Sequence, residues 1–265
     1  MTHPATVSLG VAASLGPDAA AQLAPLVEAA GFHALWVNDT PGADALEVLA
    51  AAARTTQQLV LATGVLPVDR RSAAQIAAQV QARGLPQDRL VIGIGSGQAR
   101  RGALALVRDA AAELRAALTA PILVGALGPK MRGIGVDHAD GVLLSWLPPA
   151  VARAQSSEAH AAAPDAHVAL YVRAALDPAA HERLQTETAR YASFPSYAAN
   201  FARLGIDPDD TVLDVTVLDA ATHDIAARLE EYRQGVDEVV LRAITVGDSL
   251  EDYRLFIDRA RALYS

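Results

Sequence analysis

The chain contains no cysteine in its 265 residues. That excludes disulfide staples, thiolate metal sites and a cysteine nucleophile, and it suits a reducing compartment. Aromatic residues are scarce at 5%, so a core has to be built from alanine, valine and leucine. Positive charge is also short: 22 lysines and arginines face 30 acids, a formal net charge of −8. Such a balance argues against partners bound by phosphate neutralisation, nucleic acid above all. No uncharged apolar run approaches the roughly 18 residues of a membrane span, and the opening MTHPATVSLG lacks the basic and apolar regions of a secretory leader. These absences predict a cytoplasmic protein, with no membrane and no nucleic acid.

What the chain does have is apolar material, 52% hydrophobic against 20% charged residues, enough for a large core. Short β-branched runs alternate with alanine- and leucine-rich stretches. Eight such runs stand at residues 7–12, 34–39, 59–65, 89–95, 121–127, 140–145, 167–174 and 237–243. Alternation of this kind predicts repeated βα units around a parallel sheet, and eight is the number that closes a (β/α)8 TIM barrel. Helical stretches at 17–30, 43–54, 72–83, 101–118, 129–136, 148–159 and 250–263 separate and follow the runs, several with proline at the start and glycine just past the end, as at Pro17 and Gly31. Between the seventh and eighth runs lie three helical pieces, 178–191, 195–204 and 221–234, two more than a barrel unit needs. They predict an insertion, with the acidic turn Asp207 to Asp210 as a solvated loop. No linker or composition break divides the chain, so residues 1–265 read as one domain.

Barrel enzymes keep their chemistry at the C-terminal ends of the strands, and the candidate residues gather there. GIGSG at 93–97 either cradles a phosphate with its amides or is a tight turn. It is neither a dinucleotide fingerprint, since the next run ends in Ala126 and Leu127, nor a nucleophile elbow, since Ile94 and Gln98 flank Ser96. GALGPKM at 125–131 ends a run and opens a helix at Pro129, where free amides and Lys130 suit a phosphate; the alternative is an ordinary surface lysine. Asp39 brings a carboxylate to the mouth, as a reacting group or as a turn residue accepting backbone hydrogen bonds. Arg173 and Arg242, near the ends of the seventh and eighth runs, either grip a carboxylate or phosphate or pair internally with an acid such as Asp214 or Glu238. Trp146 and Tyr171 line a pocket or belong to the core. His33, His138, His160, His167, His181 and His223 show no metal-type spacing.

Read together, residues 23–39, 45–71, 88–97, 121–146 and 225–242 resemble the luciferase-like monooxygenase family, and within it the branch that uses coenzyme F420, a deazaflavin. The resemblance implies an oxidoreductase that transfers hydride between a reduced cofactor, F420 or alternatively FMN, and a small organic substrate. It implies a catalytic Asp39 and a cofactor held by Asp39, Gly64, Val65, Gly95, Ser96, Gly97, Ala126, Gly128, Pro129, Lys130 and Met131, with substrate against Trp146, Arg173 and Arg242. A non-prolyl cis peptide at Gly64-Val65 and a homodimer packed through the helices at 43–54 and 72–83 are further implications. Arg100 and Arg101 would offer the anionic F420 tail a route out. The chain departs from the family pattern in a short loop, 98–102, after the fourth strand, in Thr40 where many relatives have histidine, and in the absence of a glycine-rich turn at 218–221. These departures keep two other readings open: a non-catalytic flavin-binding barrel, and a phosphate-binding lyase or isomerase using Asp39 and Lys130.

Overall fold

Runs rich in valine, isoleucine and leucine have two apolar faces to bury, which a parallel sheet covered by helices accomplishes. The computed structural model, which describes residues 4–99, 101–206 and 215–264, shows this for all eight. The strands are β1 (Thr6–Ala12), β2 (Ala34–Asn38), β3 (Val60–Pro67), β4 (Leu90–Gly95), β5 (Ile122–Gly125), β6 (Gly141–Ser145), β7 (His167–Ala175), the two-residue β8 (Leu218–Asp219) and β9 (Glu238–Ala243). They pair in parallel in the order β6-β5-β4-β3-β2-β1-β9-β7, and β6 also pairs with β7, so eight strands close into a barrel. β8 attaches to the end of β7, with Leu218 beside Ala174. It escapes sequence reading because two residues carry no period.

Ten helices are described: α1 (Pro17–Ala29), α2 (Ala45–Ala53), α3 (Ala73–Ala82), α4 (Ala103–Ala117), α5 (Pro129–His138), α6 (Pro149–Ala162), α7 (His181–Ala192), α8 (Pro195–Leu204), α9 (Ile225–Arg233) and α10 (Leu250–Arg261). Local signals set their ends. Asp44 caps α2 by accepting from the Leu46 amide at 3.0 Å, and Ser72 with Gln75 forms a reciprocal capping box on α3. α7, α8 and α9 make up the predicted insertion. The Asp207 to Asp210 turn lies outside the described residues.

Strand alternation sorts the apolar residues into layers. Outward residues such as Leu9, Leu35, Leu61 and Ile92 pack under the helices in the largest cluster, each contributing about 1.5–3 kcal/mol by burial. Inward residues Ala34, Trp36, Ala62, Leu123, Leu143, Ala169, Tyr171 and Val240 fill the barrel. Small side chains surround two large rings there, Trp36 and Tyr171, edge to face at 6.0 Å. A third cluster, Trp146, Leu184, Phe201, Val217 and Ile244 among its members, lies where the insertion meets the strand ends.

Candidate active site

The floor of the barrel mouth is Tyr171. It projects inward from β7 and crosses to the opposite wall, where a Cβ on Gly64 of β3 would lie 2.8 Å from its ring, and one on Gly10 of β1 would lie 2.9 Å away. Only glycine at both positions leaves room for the ring. Burial pushes the Tyr171 phenol well above its ordinary value, against the opposing charges of Arg242 and Arg173, so the group stays protonated as a hydrogen-bond donor.

Beside the hydroxyl, β3 bulges. The Gly64-Val65 peptide is cis, as the family resemblance implied, and the register with β4 shifts between Thr63 and Leu66. Val65 leans over Gly93, Gly95 and Gly125, where added Cβ atoms would approach its side chain to 3.5, 2.7 and 2.9 Å. Asn38, the last residue of β2, donates through Nδ2 to the Gly64 carbonyl.

Over the other side of the mouth stands the insertion. The Arg173 guanidinium is 4.1 Å from the Trp146 ring centre and 4.5 Å from that of Tyr191 on α7. It donates to Ser145 Oγ at 2.5 Å and lies 3.5 Å from Glu187, an ion pair without a hydrogen bond. Tyr191 packs on Tyr197 at 4.9 Å and Trp146 on Phe201 at 6.1 Å, which brings α8 over the strand ends. Arg203 of α8 then donates to the Leu127 carbonyl at 2.5 Å, just before α5, and to Asn200.

This region concentrates unpaired polar atoms. Asn38 Oδ1, Thr40 Oγ1, Trp146 Nε1, Tyr171 Oη, Arg173 Nε and Asn200 Nδ2 are buried without a hydrogen bond. All six lie on β7, at or just past the ends of β2 and β6, or on α8 above them. Each such group costs about 1–3 kcal/mol, so their clustering at one end of the barrel marks a place built to meet a polar ligand.

The residues expected from sequence fall into three groups. Gly64, Val65, Gly95, Trp146 and Arg173 stand at the mouth as described, and Arg242 faces it from β9. Gly128, Pro129, Lys130 and Met131 open α5 with no side-chain cap; Lys130 is exposed and Ala126 buried. Asp39 follows its turn-residue reading: its carboxylate accepts from the Ala45 amide at 3.2 Å and pairs with Arg70 at 3.4 Å and Arg71 at 3.7 Å. The turn at Ser96 and Gly97 has an acid of this chain beside it. The Gln98 amide donates to Asp69 at 2.8 Å, and a Cβ on Gly97 would collide with that carboxylate, so a side chain of the chain's own β3-to-α3 connection takes the anion's place. Glu238 is also not the partner of Arg173 or Arg242; it lies at the other end of the barrel, bonded to Trp36 at 2.6 Å and His167 at 2.9 Å. Asp214 and Arg100 lie outside the described residues. Sequence reasoning missed Asn38, Glu187, Asn200 and Arg203, because isolated polar residues on a strand end or helix carry no spacing signal. No cluster of potential metal ligands occurs among the described residues, and none of their helices is long and apolar enough to cross a membrane.

The chain is thus a closed parallel (β/α)8 barrel with a glycine-lined mouth beside a cis bulge. Residues 1–103 match the model of the luciferase-like monooxygenase family. No curated protein matches the sequence. Among solved structures the chain is similar to an F420-dependent secondary alcohol dehydrogenase in complex with an F420-acetone adduct, at 13% identity and TM-score 0.75 over 99% of this chain and 100% of that one. It is similar to the coenzyme F420 dependent tetrahydromethanopterin reductase of Methanopyrus kandleri, at 17% identity and TM-score 0.68 over 98% of each. It is also similar to the oxygenating constituent of 3,6-diketocamphane monooxygenase of Pseudomonas putida, in complex with FMN, at 15% identity and TM-score 0.64 over 96% and 98%. At these identities the likeness is one of fold.

Proposed function

We propose that the protein is a flavin- or deazaflavin-dependent oxidoreductase of the luciferase-like type, acting on a small organic substrate. The observation that carries this reading is the set of unpaired buried polar atoms at the mouth, some beside the cis bulge and some under the insertion opposite it. A ring whose edge alternates carbonyl and N–H groups suits them: Asn38 Oδ1 accepts, and Tyr171, Trp146 and Asn200 donate. The glycines under Val65 let its side chain lie close against the neighbouring strands, where it would back a flat ring. The residues therefore fit such a cofactor, which when bound supplies the hydride chemistry.

The chain's own part is to bind, orient and exclude water. Gly64, Val65, Gly95 and Asn38 would back the ring. Gly128 to Met131, with Arg203 beside them, would receive a phosphate-bearing tail on the amides that open α5. Trp146, Arg173 and Arg242 would face substrate, under an insertion that keeps water out. Asp39, neutralised by Arg70 and Arg71, would act by fixing the end of β2, so that Asn38 and Thr40 face the ring.

We infer coenzyme F420 in preference to FMN. Arg101, exposed on the short loop after β4, suits a long anionic tail, and F420-dependent proteins stand among the similar structures beside an FMN-bound one. Parallel titrations of the purified protein with F420 and FMN at physiological ionic strength test the reading. Tighter F420 binding is the expected result. Tighter FMN binding overturns the choice of cofactor, and no binding of either overturns the oxidoreductase.

A further inference from the structure

Arg242 is a cation at the barrel mouth. It stands on β9 opposite Arg173 of β7 on one side and Gly10 of β1 on the other, and Val240 two residues earlier faces the barrel interior, so strand alternation turns Arg242 inward at the mouth. Its guanidinium donates to the Ala243 carbonyl and has no ion-pair partner among the described residues. Its neighbour Arg173 is held between two rings, with Glu187 as its ion-pair partner among the described residues. Among the described residues, then, two neighbouring guanidinia stand at the mouth and one of them, Arg173, has a carboxylate beside it.

Tyr171 brings a third donor to the same place. Its hydroxyl lies 3.2 Å from where a Cβ of Gly10 would stand, and Gly10 is the register partner of Arg242. Arg173 is 6.0 Å from the Tyr171 ring centre. The hydroxyl is buried and unpaired, and both arginines act on its ionisation, Arg242 more strongly.

We propose that Tyr171 and Arg242, with Arg173 as the charged wall behind them, form an oxyanion-binding subsite that takes the carboxylate or phosphate of an anionic ligand at the barrel mouth. A guanidinium offers parallel N–H donors to two oxygens, the phenol supplies a further donor, and little water remains to compete. The subsite rests on the proposed function: it makes the substrate an organic anion or, in place of the amides that open α5, it receives the cofactor's phosphate. Neutral isosteres would leave the arginine charge unanswered and bind worse.

Calorimetry on the full chain tests this with two matched pairs of probes, benzoate against benzamide and FMN against riboflavin, using wild type, Arg242→Gln, Arg242→Lys and Tyr171→Phe. The expected result is benzoate bound more tightly than benzamide, weakened about tenfold or more by Arg242→Gln, less by Arg242→Lys, and about fivefold by Tyr171→Phe, with benzamide unmoved. If Arg242→Gln instead weakens FMN and spares riboflavin, the anion is the cofactor's phosphate, and the subsite stands. Circular dichroism melts confirm that the variants fold; Tyr171→Phe, which deletes an unpaired buried hydroxyl, is expected to melt no lower than wild type. Overturning results are equal binding of benzoate and benzamide together with FMN and riboflavin affinities that Arg242→Gln leaves unchanged. A protein that binds neither F420 nor FMN refutes the oxidoreductase reading separately, whatever benzoate does.

Discussion

At the scale of single residues, the barrel interior is set by how one tyrosine is accommodated. Gly10 and Gly64 leave room for the Tyr171 ring that a methyl group would take, so Gly10→Ala and Gly64→Ala are each expected to cost about 1–3 kcal/mol by overpacking. Shortening the tyrosine should relieve the clash. In a double-mutant cycle by urea unfolding, Gly64→Ala combined with Tyr171→Leu is expected to show coupling of about 1 kcal/mol or more; simple additivity would mean that the ring is not what excludes the methyl. At the opposite end, burial raises the Glu238 carboxyl, but hydrogen bonds from His167, Ser8 and Trp36 with the imidazolium charge outweigh it and hold the group below the usual carboxylate range. Burial lowers His167, yet its hydrogen bond to Glu238 and the charges of Glu238 and Asp237 raise it overall. A raised imidazole stabilises the fold below its unfolded value of about 6.5 and loses that as pH climbs through the folded value. A depressed carboxylate stabilises above about 4.3 and loses that as pH falls through its folded value. Both contributions coexist between those limits. The stability deficit of His167→Gln is therefore expected to be largest near pH 5.5 and to shrink toward pH 8.5; denaturant titrations giving a constant deficit would contradict the pairing.

At the scale of elements, the insertion matters most. α8 is tied across the mouth by Arg203 to the Leu127 carbonyl, and by Phe201 to Trp146. The arginine is exposed, so Arg203→Ala should cost under about 1 kcal/mol globally. Its effect should be local: faster amide hydrogen exchange in α8, with the strands of the barrel unchanged. Uniform acceleration throughout the chain would show that α8 does not open as a unit. The existence of α7, α8 and α9 was legible from proline, alanine and leucine placement. The position of α7 and α8 over the strand ends was not, because it depends on Tyr191 and Phe201 meeting Trp146 across long stretches of chain.

At the scale of the whole molecule, a homodimer remains our proposal, with its surface revised. α2 buries Ala45, Leu46, Val48, Leu49 and Ala50 to Ala52 within its own chain. The alanines left exposed are Ala74, Ala78 and Ala82 of α3, one face of the helix at four-residue spacing. Light scattering is expected to give twice the chain mass at micromolar concentration and a monomer for Ala78→Glu; a wild-type monomer at every concentration removes the proposal.

The sequence by itself determined the barrel. Eight strand runs, their separating helices and the insertion are local patterns, in which the period of apolar residues and the glycine or proline at each end act within a few residues. It also placed Arg173, Arg242, Gly64 and Gly95 at strand ends, since alternation and chain direction follow from those same runs. The tertiary structure alone decided how the candidates are used. Asp39 turned to Arg70 and Arg71, and Asp69 filled the nest at Gly97. Tyr171, which the sequence left between core and pocket, became the floor of the mouth. Those outcomes depend on side chains brought together from strands and loops far apart in the chain, where closing the barrel, and no local periodicity, sets which groups meet.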